Sequence, residues 1–148
     1  FDIVCKTLKQ HADFCDRSGV LVVNHNCRNS SYIIPRLAEF GEKSGMSTIS
    51  LSDYADPVAA KKYAQGKITV ATGPDPTTII CYGDPSTIER AVKYYMRAAP
   101  GGGFVMHIRD GVLSFTPLEN VKAFVKAARK WGKYPIPKEL ELIDPYSL

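Results

Sequence analysis

Short aliphatic runs alternate with longer amphipathic stretches along this chain, and that alternation limits the folds open to it more than any other feature. The runs are Val20-Leu21-Val22-Val23, Ser47-Thr48-Ile49-Ser50-Leu51, Ile68-Thr69-Val70-Ala71 and Phe104-Val105-Met106. They are short, mostly β-branched and preceded by Gly19, Gly45, Gly66 and Gly103. Buried parallel strands, each entered from the C-cap of a helix, have this composition. Helix first, then four β/α units and a proline-bearing tail at 135–148, the order is that of an α/β protein with a parallel sheet and helical crossovers. An open doubly wound sheet and half of an eight-stranded β/α barrel both satisfy it.

The helices between the runs carry start signals. Asp56-Pro57 and Asp84-Pro85 place an acceptor at the N-cap and a proline at the first helical position. Thr116-Pro117-Leu118-Glu119 has the spacing of a capping box. The helix that follows is expected to bury Leu118, Val121, Phe124, Val125 and Ala128, with Lys122, Lys126, Arg129 and Lys130 as a solvated face and Gly132 as its stop. Ile88, Ala91, Val92 and Tyr95 form a similar stripe one helix earlier, and Val4, Leu8, His11 or Ala12, and Cys15 another at the N-terminus.

At 148 residues, 45% hydrophobic and 23% charged, the chain is expected to be one domain, 1–148, or part of one, with enough apolar material for a core. A net charge of +4, spread over helical faces, gives no reason to expect a nucleic-acid partner. No apolar run approaches the roughly 18 residues of a membrane span, and no signal peptide is legible, so a cytoplasmic protein with Cys5, Cys15, Cys27 and Cys81 as thiols is expected. The chain begins at Phe1 rather than Met, which points to processing or truncation.

In either architecture, function gathers where strands end and loops lead into helices. Those positions hold His25-Asn26-Cys27, Ser52-Asp53, Gly73-Pro74-Asp75-Pro76 and Arg109-Asp110-Gly111. His25 and Cys27 are two apart, so extended backbone presents imidazole and thiolate on one side, a chelating pair for zinc to which Asp110 adds an oxygen ligand. The same pair also reads as a nucleophile with its base, or as a loop histidine beside a small cysteine. Asp75 and Arg109 are candidates for substrate binding; Asp53 and Asp75 read as acid–base groups or as turn or helix-cap residues, the latter preferred for Asp53, and His107 as a pocket residue or, preferably, a satisfied core position. Ala99-Pro100-Gly101-Gly102-Gly103 precedes a strand rather than opening a helix, so it reads as a connector and not a phosphate loop.

The motifs also occur in a telling order. Gly83-Asp84-Pro85, Ala99-Pro100-Gly101-Gly102-Gly103-Phe104, Thr116-Pro117-Leu118-Glu119-Asn120-Val121 and Trp131-Gly132-Lys133-Tyr134-Pro135 together resemble the end of the uroporphyrinogen decarboxylase superfamily. Asp75-Pro76 matches too, although Thr72-Gly73-Pro74 departs from the common glycine–asparagine form. The resemblance implies that 1–148 is the C-terminal half of a TIM (β/α)8 barrel, ending in the 135–148 tail. It implies one of two branches: cofactor-free decarboxylases of uroporphyrinogen, or corrinoid-linked methyltransferases, many of them zinc-dependent.

His25-x-Cys27 falls on the H-x-C motif of the methyltransferase branch, and Asp110 stands where that branch commonly has cysteine and the decarboxylases histidine. The implied activity is zinc-assisted transfer of a methyl group between a small substrate (a methoxylated compound, a methylamine or a thiol) and the cobalt of cobalamin on a partner corrinoid protein. Aspartate in place of cysteine makes a harder zinc and tilts the expectation toward an oxygen- or nitrogen-linked donor. The alternatives are a uroporphyrinogen decarboxylase, whose decisive arginine and aspartate belong to the first barrel half, and a non-catalytic half-barrel that serves as an assembly partner. Four β/α units leave edges for either the missing N-terminal half or a second copy of the chain to cover.

Overall fold

The computed structural model describes residues 2–27, 34–44, 46–51, 56–137 and 140. Its strands pair in the order β1-β2-β3-β4, which is chain order. Two compact units divide the chain, Phe1–Ala71 and Thr72–Leu148.

In the first unit, α1 (Asp2–Arg17) leads to β1 (Val22–Asn26), α2 (Ile34–Ser44) to β2 (Met46–Leu51), and α3 (Pro57–Ala64) to β3 (Thr69–Thr72), whose last residue opens the second unit. β1 pairs parallel with β2, and β2 parallel with β3. The first strand starts two residues later than its aliphatic run. Gly19 adopts φ 68° and the Val20 N–H donates to the Cys15 carbonyl at 2.8 Å, so Val20 closes α1 instead of opening the strand. α3 begins as expected: Asp56 accepts from the Val58 N–H at 2.9 Å with Pro57 at the first position. Ala12, Ile34, Leu37, Ala38, Ile49, Leu51 and Val70 make the core of this unit.

The second unit holds a six-residue π-helical turn (Pro76–Cys81), α4 (Pro85–Met96), β4 (Phe104–Met106) and α5 (Leu118–Trp131). The His107 N–H donates to the Thr72 carbonyl and the Arg109 N–H to the Pro74 carbonyl, at 3.3 and 3.2 Å. Partner numbers rise together on both segments, which marks a parallel pairing. Ile79, Ile80, Ile88 and Ala91 form one buried cluster, Val92, Met96, Ala99, Ala127, Ile136 and Leu140 another. Gly101, Gly102 and Gly103 all have positive φ, the reason this connector is built of glycine.

Two expectations for α5 are corrected. Thr116 and Glu119 form no capping box: the N-cap is Pro117, which has no side-chain acceptor, and Glu119 instead meets Lys122 at 2.7 Å. The predicted stripe is rotated as well, with Leu118 65% and Val125 40% exposed and Ala127 buried. Asn120 is one of the residues that seat the helix in this rotation. Its amide donates to the carbonyls of Ile80, Cys81 and Gly83, holding Ala123, Phe124 and Ala127 toward the core. Among the described residues, no helix is long and apolar enough to cross a membrane.

Candidate metal centre

Along β1, exposed and half-buried residues alternate, so Val23, His25 and the following Cys27 share the open side. Cys27 Sγ lies 3.3 Å from His25 Nε2. On the other side of the ring, Nδ1 lies 3.2 Å from the hydroxyl of Ser50, the residue paired with His25 across β1 and β2. The imidazole is therefore oriented by the strand behind it, with Nε2 turned toward sulfur.

That bite fits a metal. A tetrahedral zinc bonded at about 2.3 Å to sulfur and about 2.0 Å to nitrogen holds the two atoms roughly 3.5 Å apart. The observed 3.3 Å needs only a small adjustment. A thiol and an imidazole also favour zinc over magnesium or calcium, which take oxygen donors. Ser50 supplies the outer hydrogen bond that ring-ligating histidines ordinarily have.

Asp110 sits in the turn after β4, with its side chain exposed. Its φ is 53°, a left-handed conformation that aspartate tolerates better than most residues, and Gly111 follows at φ 93°. The Gly111 N–H closes the turn onto the Ile108 carbonyl at 3.2 Å.

The neighbouring residue points the opposite way. Arg109 is 1% exposed, the largest fully buried side chain among the described residues. Its Nη2 donates to Asp75 Oδ2 at 3.1 Å. The other oxygen, Asp75 Oδ1, accepts from the Thr77 and Thr78 backbone N–H groups and the Thr78 hydroxyl, at 2.9, 2.7 and 2.9 Å. Asp75 thus caps the π-helical turn with one oxygen and meets Arg109 with the other. His107 is half-buried with Nδ1 2.9 Å from the Ile108 carbonyl oxygen. The expected turn at Ser52-Asp53 lies outside the described residues.

Ser50 escaped the sequence reading because it sits inside an aliphatic run. The signal was there: a polar residue between Ile49 and Leu51, at the register that a parallel pairing assigns opposite His25. The Asp75–Arg109 pair was legible only as two candidates at neighbouring strand ends.

Comparison with known proteins agrees with this architecture. The uroporphyrinogen decarboxylase (URO-D) family model matches residues 2–131. A uroporphyrinogen decarboxylase from Gluconobacter oxydans is 30% identical over 95 residues, which are 62% of this chain and 26% of that protein. Another, from Novosphingobium aromaticivorans, is 24% identical over 98 residues, 66% of this chain and 28% of that one. Among solved structures, a methyltransferase from Methanosarcina mazei shares the fold with a TM-score of 0.54 at 17% identity, over 89% of this chain and 48% of its own. The chain spans about a quarter of the length of the curated relatives and about half of the solved one. With parallel β/α units that are part of a TIM barrel and a match covering residues 2–131, the chain belongs to the uroporphyrinogen decarboxylase family.

Proposed function

We propose that this chain is the C-terminal half of a barrel methyltransferase that moves a methyl group between a small substrate and the cobalt of a corrinoid carried by a partner protein. The observation that supports the reading is the His25–Cys27 bite of 3.3 Å with Ser50 behind the ring. In this reading His25 Nε2, Cys27 Sγ and an oxygen of Asp110 hold zinc, and a fourth position is left for substrate. Bound there, zinc supplies a Lewis acid for the methyl-bearing heteroatom, or holds a substrate thiol as thiolate near neutral pH. Cys27 serves as a thiolate ligand, and Ser50 keeps the His25 ring from rotating away. With Asp110 in place of a third soft ligand, oxygen- or nitrogen-linked methyl donors suit the site better than thiols. A cytoplasmic setting follows from the need for reduced Cys27.

The test is the zinc content of the complete enzyme, wild type against Cys27→Ala. Near-stoichiometric zinc in the wild type and its loss from the variant, together with loss of methyl transfer, is the expected result. Equal zinc in both overturns the site. Zinc lost with methyl transfer retained makes the metal structural and overturns the mechanism. A second reading, decarboxylation of uroporphyrinogen, is favoured by the names of the curated relatives. An assay for carboxyl loss from the porphyrinogen decides between the two.

A further inference from the structure

Arg109 and Asp110 are adjacent in sequence and opposite in fate. The first is the most deeply buried charge among the described residues, the second an exposed carboxylate in a left-handed turn. A guanidinium out of water is costly unless paired, so its place beside Asp75 Oδ2 at 3.1 Å is tightly determined. Asp75 is itself fixed, because three donors from Thr77 and Thr78 hold its other oxygen. Two backbone bonds, from His107 to Thr72 and from Arg109 to Pro74, bind the same stretch to the end of β3.

We infer that the pair of buried Arg109 and half-buried Asp75 is a positioning device for Asp110: it pins the residue before the turn and so aims the carboxylate. The inference rests on the zinc reading above, in which Asp110 is a ligand. Held at Arg109 on one side and closed by the Gly111–Ile108 bond on the other, the backbone of Asp110 is fixed in the turn that presents its carboxylate. The pair thus acts on the metal through Asp110, not by touching metal or substrate.

The experiment is zinc affinity of the complete protein by competition with a chelating dye, with Co2+ substitution as a spectroscopic readout. The variants are Asp75→Asn, Arg109→Met, Arg109→Lys, Thr78→Val and Asp110→Ala. Asp75→Asn and Arg109→Met are expected to weaken zinc binding about 10- to 100-fold, with Arg109→Lys recovering part of the loss. The Co2+ ligand-field bands are expected to shift toward those of Asp110→Ala while the thiolate charge-transfer band from Cys27 persists. Thr78→Val keeps the pair and loosens Asp75 alone, so it serves if Arg109→Met does not fold; a smaller loss of affinity and the same spectral shift are expected.

Wild-type affinity and spectra in Asp75→Asn and Thr78→Val, with Asp110→Ala impaired, overturn the inference. So does a raised KM for substrate with metal affinity unchanged, which would make the pair a substrate contact. If Asp110→Ala itself binds zinc as the wild type does, the ligand assignment beneath the inference is what fails.

Discussion

Gly73 lies directly against the carbonyl oxygen of His107, so the segment after β3 and the segment after β4 touch backbone to backbone. Any side chain at 73 must push the two apart. Gly73→Ala is expected to destabilise the second unit by roughly 3 kcal/mol or more, because the obstacle is a backbone atom that cannot rotate away. Gly66→Ala is the control: it has φ 72° with open space around it, and strain alone costs about 1–2 kcal/mol. Urea denaturation of the two variants compares the effects directly.

Asn120 tests how α5 is seated. Alanine there strips hydrogen-bond donors from the carbonyls of Ile80, Cys81 and Gly83 at once. A loss of about 2–3 kcal/mol is expected, read from the urea midpoint, with the Leu118 to Val125 face no more buried than before.

Ser50→Ala removes the hydroxyl behind His25 Nδ1 and leaves β2 otherwise intact. If His25 ligates zinc, affinity is expected to fall about 10-fold while thermal stability of the metal-free protein barely moves. Unchanged affinity would separate Ser50 from the metal.

Asp84 provides a pH signature. The Thr87 N–H and then the Ser86 hydroxyl hold its carboxyl down at about 2, below the ordinary value near 3.9. A depressed folded-state pKa means that its stabilisation is fully present above the unfolded value and is lost as pH falls through the folded one. The melting temperature of Asp84→Ala is thus expected to lie below wild type at pH 6, with the gap closing between about pH 4 and pH 2.

The chain expressed by itself is expected to associate. Val20 and Leu21 just before β1 and Val23 within it are 55%, 79% and 60% exposed, more apolar surface than a lone strand margin usually leaves to water. Sedimentation velocity checks this; a monodisperse monomer of 16.3 kDa would show that the margin is harmless.

Strand order, parallel pairing and the His25–Cys27 face were all legible, because periodicity and right-handed crossovers depend on local pattern. The rotation of α5 was not. Leu118, Val121 and Val125 are as hydrophobic as a core stripe, and the bonds that seat the helix, from the Asn120 amide to three carbonyls and from Lys130 and Trp131 to Glu89, leave no mark in the hydrophobic pattern. The π-helical turn at Pro76–Cys81 was missed although Asp75-Pro76 repeats the Asp-Pro signal seen at 56 and 84. Its closing bonds, Ile80 to Asp75 and Tyr82 to Thr77, span five residues, a spacing no helical pattern announces. The start of β1 shifted because the Val20 N–H donates to the Cys15 carbonyl and closes the helix before it.

The family match ends at residue 131, but the hydrophobic cluster beneath α5 does not. Ile136 and Leu140 are buried in it, and the Tyr134 hydroxyl reaches back to the Ala99 carbonyl at 3.0 Å. Each such aliphatic side chain contributes about 1.5–3 kcal/mol on burial. Trimming an expression plasmid to the homology boundary would therefore discard a sizeable part of the few kcal/mol by which a domain stays folded. The cut belongs beyond Leu140, not after Trp131.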